Sequence, residues 1–346
     1  MAGTPDTVLF VSCAGSKEIH VFAMDRDSGA LDPIERIAVP GTEIPSPTSI
    51  PMAPSPDRRF LYAALRSPPF PVSSFAIDRA SGRLTLLGTA PLPDSMAYIT
   101  TDRTGRFLLG ASYPGNKLTI NPIDGDGCVV AQSTQIIPDR PKAHCVILDA
   151  SNRFAYCTNL GADVVMQLRF DAASGTVAPN DPATVSTRPG AGPRHLAFHP
   201  SGRFLYLLNE TDATLGAYAV DAAGTLAELQ TLPTLPRDFT GKPSAADLHV
   251  TPDGQFLYAS ERCASTLVGF RIDPARGTLS KLGRWPTETT PRGFAIDPRS
   301  RFLAAAGLAS NALTVYAITP QSGALAPIHQ HPLGPMPSWT EILDLR

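Results

Sequence analysis

The sequence predicts an all-β fold, a seven-bladed β-propeller with four antiparallel strands per blade, forming one domain over residues 1–346. Two repeated signals and one absence predict it. The first signal is a turn, a polar or basic residue, then Phe and an apolar run, as in Pro56-Asp-Arg-Arg-Phe60, Arg103-Thr-Gly-Arg-Phe107, Ser151-Asn-Arg-Phe154, Ser201-Gly-Arg-Phe204, Asp253-Gly-Gln-Phe256 and Arg299-Ser-Arg-Phe302. The steps from one Phe to the next are 47, 47, 50, 52 and 46 residues. The second signal is an alternating strand that runs into an acidic or Gly turn, ending at Gly29, Gly82, Gly175, Gly224, Gly277 and Gly323, with a degenerate copy at Gly127. Period-2 strands in units of this length are the mark of propeller blades, and no helical periodicity of useful length competes.

The seventh copy of the first signal is split between the termini. Val8–Ser12 reads as the second strand of a blade and Ser338–Leu343 as its first, so N- and C-terminal strands close the ring in one shared blade. Closure removes the open edges that invite aggregation. The competing reading of such a repeat is an open β-solenoid.

A formal charge of -2, with no run of Lys or Arg, leaves no footprint for nucleic acid or an anionic membrane surface. Residues 1–7 carry no basic stretch followed by an apolar one, and nowhere do ~18 apolar residues run together, so a soluble cytoplasmic protein is expected. Five scattered cysteines without a C-x-x-C signal neither a disulfide framework nor a zinc site, and are expected to be buried thiols.

Function is sought where the repeats disagree. In each blade the residue ten before the Phe and the residue six after it should meet at one mouth of the central tunnel, the ends of an antiparallel hairpin. The first set is Ile50, Ala97, His144, Arg194, Ala246 and Arg292; the second is Arg66, Tyr113, Leu160, Glu210, Arg262 and Leu308. A purely structural ring would repeat small or apolar residues there. Instead His144, Arg194, Glu210, Arg262 and Arg292 are expected to converge, with Tyr113 and Asp247 close by.

Guanidiniums in a confined cavity suit a carboxylate or phosphate, because Arg offers planar, bidentate, permanently charged donors. One His and one Glu add groups that transfer protons or activate water near neutral pH. An alternative reading makes Glu210 only the counter-ion of Arg194 and Arg262. His195, His199 and His249 lie in the same inner strands, but His195 and His199 are ~13 Å apart along an extended strand, too far to share a metal. They also read as core or hydrogen-bonded histidines. Asp124-Gly-Asp-Gly127 sits at a turn position and lacks the rest of a calcium loop. No G-x-S-x-G, Walker or dinucleotide fingerprint is present.

The chain resembles the bacterial 6-phosphogluconolactonase family of propellers, related to the fungal carboxymuconate lactonising enzyme. The likeness covers essentially the whole chain and rests on Gly190-Ala-Gly-Pro-Arg194-His195, Asn209-Glu210, Asp247-Leu-His249-Val-Thr-Pro-Asp-Gly254, Leu257-Tyr-Ala-Ser-Glu-Arg262 and Thr287-Glu-Thr-Thr-Pro-Arg292. It implies a catalytic set of His144, Arg194, Glu210 and Arg262, the residues that the repeats also single out. Cys145 replaces the usual small or Ser-type residue, Glu261-Arg262 replaces Asn-Arg or Asp-Arg, and the segment 42–51 is longer than the family leads one to expect.

The expected activity is therefore hydrolysis of a small anionic sugar lactone, either 6-phosphogluconolactone in the pentose phosphate pathway or a related aldono- or aldarolactone. Glu210 or His144 directs water, Arg194 and Arg262 hold the developing charge, and Arg292 docks the anionic tail. Tyr113, His195, Asp247, His249 and Arg66 are expected to complete substrate binding. No metal or cofactor is called for, and a monomer or homodimer is expected. A muconate-type cycloisomerase and a non-catalytic binding platform are the alternatives.

Overall fold

The computed structural model describes residues 5–44 and 47–346. Among them strand pairing forms seven four-stranded antiparallel sheets, each running outward from an innermost strand in simple meander order. Innermost strands touch in cyclic succession, so the sheets stand as blades around a central tunnel. We number them by first strand: blade 1 Pro337–Asp344, blade 2 Met52–Pro54, blade 3 Met96–Thr101, blade 4 Ala143–Leu148, blade 5 Pro193–Phe198, blade 6 Ala245–Val250, blade 7 Pro291–Ile296. Blade 1 is the composite one: the C-terminal strand pairs with Thr7–Cys13, Leu9 lying opposite Ile342. The degenerate copy of the second signal belongs to blade 3, whose outermost strand, Gln135–Ile137, has three residues.

The two repeated signals are halves of one contact. Each turn glycine, from Gly29 to Gly323, has a φ between +66° and +84°. A Cβ at Gly277 would collide with the ring of Phe204 in the preceding blade; Phe256 lies under Gly323, Phe302 under Gly29, and Val8, in the Phe position of blade 1, under Gly82. The left-handed turn needs glycine for its dihedrals, and the neighbouring blade needs the empty space. The rest of the motif serves the same joint. The Arg203 guanidinium lies 5.1 Å over the Phe204 ring and donates to the Pro274 carbonyl at 2.6 Å. Two residues on, Tyr206 donates to the Gly277 carbonyl at 3.1 Å, as Tyr156 and Tyr258 do to Gly224 and Gly323.

Burial of Phe107, Phe204, Phe256 and Phe302 contributes about 1.5–3 kcal/mol each, and the half-buried Phe60 and Phe154 less. Alternating apolar residues of adjacent blades fill the space between sheets, as in the cluster of Leu208, Leu215, Leu248, Leu257 and Phe270. The thiols are less uniform than expected: Cys13, Cys145 and Cys157 are buried, Cys128 is half-buried and Cys263 is exposed. The last two lie in a turn and in a loop at the tunnel mouth, outside the packed blades.

Gly277→Ala should lower unfolding stability by about 2–4 kcal/mol, since it adds both a strained dihedral and a clash with Phe204. Gly125→Ala, at a position with nothing within 4 Å, should stay within about 0.5 kcal/mol of wild type. Urea titration of both checks this, and equal losses would contradict the joint.

Candidate active site

A β-bulge breaks the pairing of six of the seven first strands near its start, at the tunnel mouth. The register skips Ala97 in blade 3, His144 and Cys145 in blade 4, Arg194 in blade 5, Ala246 and Asp247 in blade 6, Arg292 in blade 7 and Ser338 in blade 1. The simple hairpin read from the sequence, with Arg194 opposite Glu210, is therefore corrected: Pro193 pairs with Asn209 and His195 with Leu208. A bulge re-aims its side chain, and here it does so in blade after blade at one level of the tunnel.

Around that level Arg194, Glu210 and Arg262 meet. Glu210 accepts from Nε of Arg194 at 2.9 Å through Oε2, and from Arg262 at 3.0 Å through Oε1. Arg194, only 2% exposed, also donates to the Ala246 carbonyl, and Arg262 donates through Nε to the Ser244 carbonyl at 3.1 Å. Burial opposes charge on Glu210, yet the two guanidiniums win and hold its carboxyl below the ordinary value. Burial and the nearby Arg262 bring Arg194 down to about 10.

Arg66 and Arg292 form a second cationic pair. Both donate to Ser49 Oγ, at 3.3 and 3.4 Å, and neither has a carboxylate within ion-pair distance among the described residues. Ser49 belongs to the long segment 42–51, so that segment does reach the site; its Pro45 and Ser46 lie outside the described residues. His144 packs edge-on against Tyr113 at 5.9 Å and lies 5.3 Å from the His195 ring. It is 5% exposed, its Nδ1 has no partner among the described residues, and burial with Arg194 nearby holds it neutral well below the ordinary imidazole value. Tyr113, Glu210 and Arg262 line a cavity of about 580 Å³.

His195, Asp247 and His249 lie one step further into the tunnel and line a second cavity, of about 310 Å³, with Tyr98, Trp339 and Glu341. Asp247 accepts from His195 Nδ1 at 2.8 Å, from His249 Nε2 at 3.2 Å and from the Phe294 amide at 3.1 Å, tying blades 5, 6 and 7. His199 is structural: its Nε2 donates to the Gly254 carbonyl at 3.1 Å. Glu261, beside Arg262, accepts from the Ser244 and Ala264 amides and pins the loop that carries Arg262.

A family model described as "Lactonase, 7-bladed beta-propeller" matches residues 2–342. The chain belongs to the seven-bladed propeller lactonase family. It is 39% identical to the 6-phosphogluconolactonase of Serratia proteamaculans over 97% of this chain and 98% of that protein. With the 6-phosphogluconolactonase of Pectobacterium atrosepticum it shares 39% identity over 98% and 99%. Among solved structures, the periplasmic gluconolactonase of Pseudomonas aeruginosa superposes with a TM-score of 0.88 at 30% identity, over 98% of this chain and 99% of that one.

Sequence reasoning missed several residues around this lactonase tunnel. Tyr98 and Trp339 occupy the repeat position just after the bulge, and Glu341 the position two further on, so the same comparison read deeper into the strand finds them. Ser49, Lys142 and Lys242 sit in loops with no register to give them away.

The histidines of the site titrate in opposite directions. Asp247 outweighs burial and holds the His249 pKa above its ordinary value, whereas burial and Arg194 push His195 down to about 4. Imidazole signals in an NMR titration should therefore show His144 and His195 protonating only well below pH 6.5 and His249 above it. Asp247→Asn should bring His249 below its ordinary value; an unmoved His249 would contradict the assignment.

Proposed function

We propose that this chain hydrolyses 6-phosphogluconolactone to 6-phosphogluconate, using His144, Arg194, Glu210 and Arg262 at the wider tunnel mouth. One observation carries the reading: four guanidiniums gather around a single carboxylate and a neutral imidazole. With Glu210 counted, three positive charges are left without a protein counter-ion. A neutral sugar lactone would leave them uncompensated. A substrate that brings its own negative charge, such as a phosphorylated lactone, and the oxyanion that forms during attack both suit this excess. The 6-phosphogluconolactonases named among the full-length relatives support the same substrate.

In this mechanism water attacks the lactone carbonyl carbon and passes a proton to the neutral His144 imidazole. Glu210 stays ionised, orients the water and is itself held by Arg194 and Arg262. The carbonyl oxygen becomes an oxyanion facing Arg292 and Arg66, donors fixed in place before reaction. Collapse breaks the ring C–O bond, and the departing alkoxide takes the proton from His144. The new carboxylic acid ionises. Asp247 and His195 act as positioning residues beneath His144, and Tyr113 packs its edge. A phosphorylated substrate accords with a cytoplasmic enzyme, and no helix of the described residues is long and apolar enough to cross a membrane.

His144→Ala and Glu210→Gln should each lower kcat on 6-phosphogluconolactone by roughly 10²–10⁴-fold, followed by proton release in a weakly buffered assay. Wild-type rates in both variants would sink the assignment. Because His144 sits below its ordinary pKa, kcat/KM should fall on the acid side with an apparent pKa below 6.5, and a limb above that value would speak against His144 as the base.

A further inference from the structure

We propose that Lys142 and Lys242 read the phosphate of the substrate, and so set the preference for a phosphorylated over an unphosphorylated lactone. This rests on the lactonase reading above and goes beyond it, because it assigns the tail to a place apart from the guanidiniums that serve the reacting carbonyl.

The chain has five lysines, and two of them line the one 580 Å³ cavity although they are 100 residues apart in sequence. Lys142 immediately precedes the first strand of blade 4; Lys242 lies in the loop leading to the first strand of blade 6. Both side chains are exposed, whereas the reacting groups below them are buried or half-buried. Among the described residues the only lysine in an ion pair is Lys117, with Asp94 at 2.8 Å. The two rim ammoniums are thus without a carboxylate.

Lys142 is also aimed. Its amide donates to Asn116 Oδ1 at 2.8 Å, fixing a left-handed backbone with φ +50°, and its ammonium lies 5.8 Å from the centre of the Tyr113 ring. That ring packs in turn on His144, so the ammonium stands directly outward of the proposed base. The deeper guanidiniums serve the reacting end: Arg194 and Arg262 hold Glu210, and Arg66 and Arg292 converge on Ser49, where the oxyanion forms. A substrate whose lactone carbonyl reaches His144 leaves its tail at the rim. There compact, hydrated ammoniums suit a phosphate, and the hydroxyls of Thr211 and Ser244 line the same cavity as further donors.

The test measures kcat/KM for 6-phosphogluconolactone and for glucono-1,5-lactone with wild type, Lys142→Met, Lys242→Met and the double variant. Lys142→Arg, which keeps the charge, is the conservative control. The ratio of the two substrates should fall roughly ten- to hundredfold in the double variant, carried by a higher KM for the phosphorylated lactone, and stay near wild type in Lys142→Arg. A ratio unchanged in the double variant, or an equal loss on both substrates, would overturn the rim assignment while leaving the lactonase reading intact. Wild type that hydrolyses neither lactone would overturn the lactonase reading, and the rim with it.

Discussion

A phenylalanine pressed beneath the left-handed glycine turn of the next blade is the contact on which this ring depends. It recurs from Phe60 under Gly127 to Phe302 under Gly29, with an Arg stacked on all six of the rings and Tyr hydroxyls closing three of the joints. Each joint lies far out on the hairpin end of a blade. The tunnel mouth at the opposite end of the inner strands is thereby relieved of structural duty. Tyr62 departs from the pattern: its hydroxyl is buried without a partner among the described residues, and it faces blade 3, whose last strand is short.

Freedom at that mouth is used through bulges. A regular ladder would put every second residue of the inner strand toward the tunnel and leave the first one splayed at the rim. Skipping one or two residues of register turns His144, Arg194 and Arg292 to a common level while the strand below continues unaltered. Rigid sheets hold each base, so convergence of like charges is enforced by packing that none of the arginines could supply. Glu210 relieves part of the repulsion, and the remaining excess of positive charge is what makes the cavity receptive to an anion.

The two cavities differ in their charged lining. Arg262, Glu210 and the ammoniums of Lys142 and Lys242 line the wider one; Asp247, Glu341, His249 and Arg103 line the narrower one, where burial lifts the Glu341 carboxyl to about 7. His144 and His195 stand at the boundary, their rings 5.3 Å apart and both neutral near physiological pH. Asp247 anchors that boundary by joining three blades through one carboxylate, so His195 beneath His144 is fixed by hydrogen bonds rather than by packing alone.

By itself the sequence determined the blade count, the closing of the ring through Val8–Ser12 and Ser338–Leu343, and the positions at which the repeats break. Those follow from periodicity, and periodicity is local: the same turn chemistry and alternation recur every blade whatever the neighbours do. It also singled out Arg194, Glu210 and Arg262, because seven near-copies make a departure visible. Only the tertiary structure decided the bulged register, which moves no residue in sequence but turns a side chain in space. Only it separated His195, Asp247 and His249 from the wider mouth by one step of tunnel depth, and only it brought Lys142 and Lys242 together. Those two sit in loops of unequal length, where no period operates, and their meeting is set by how far each blade carries its loop around the ring.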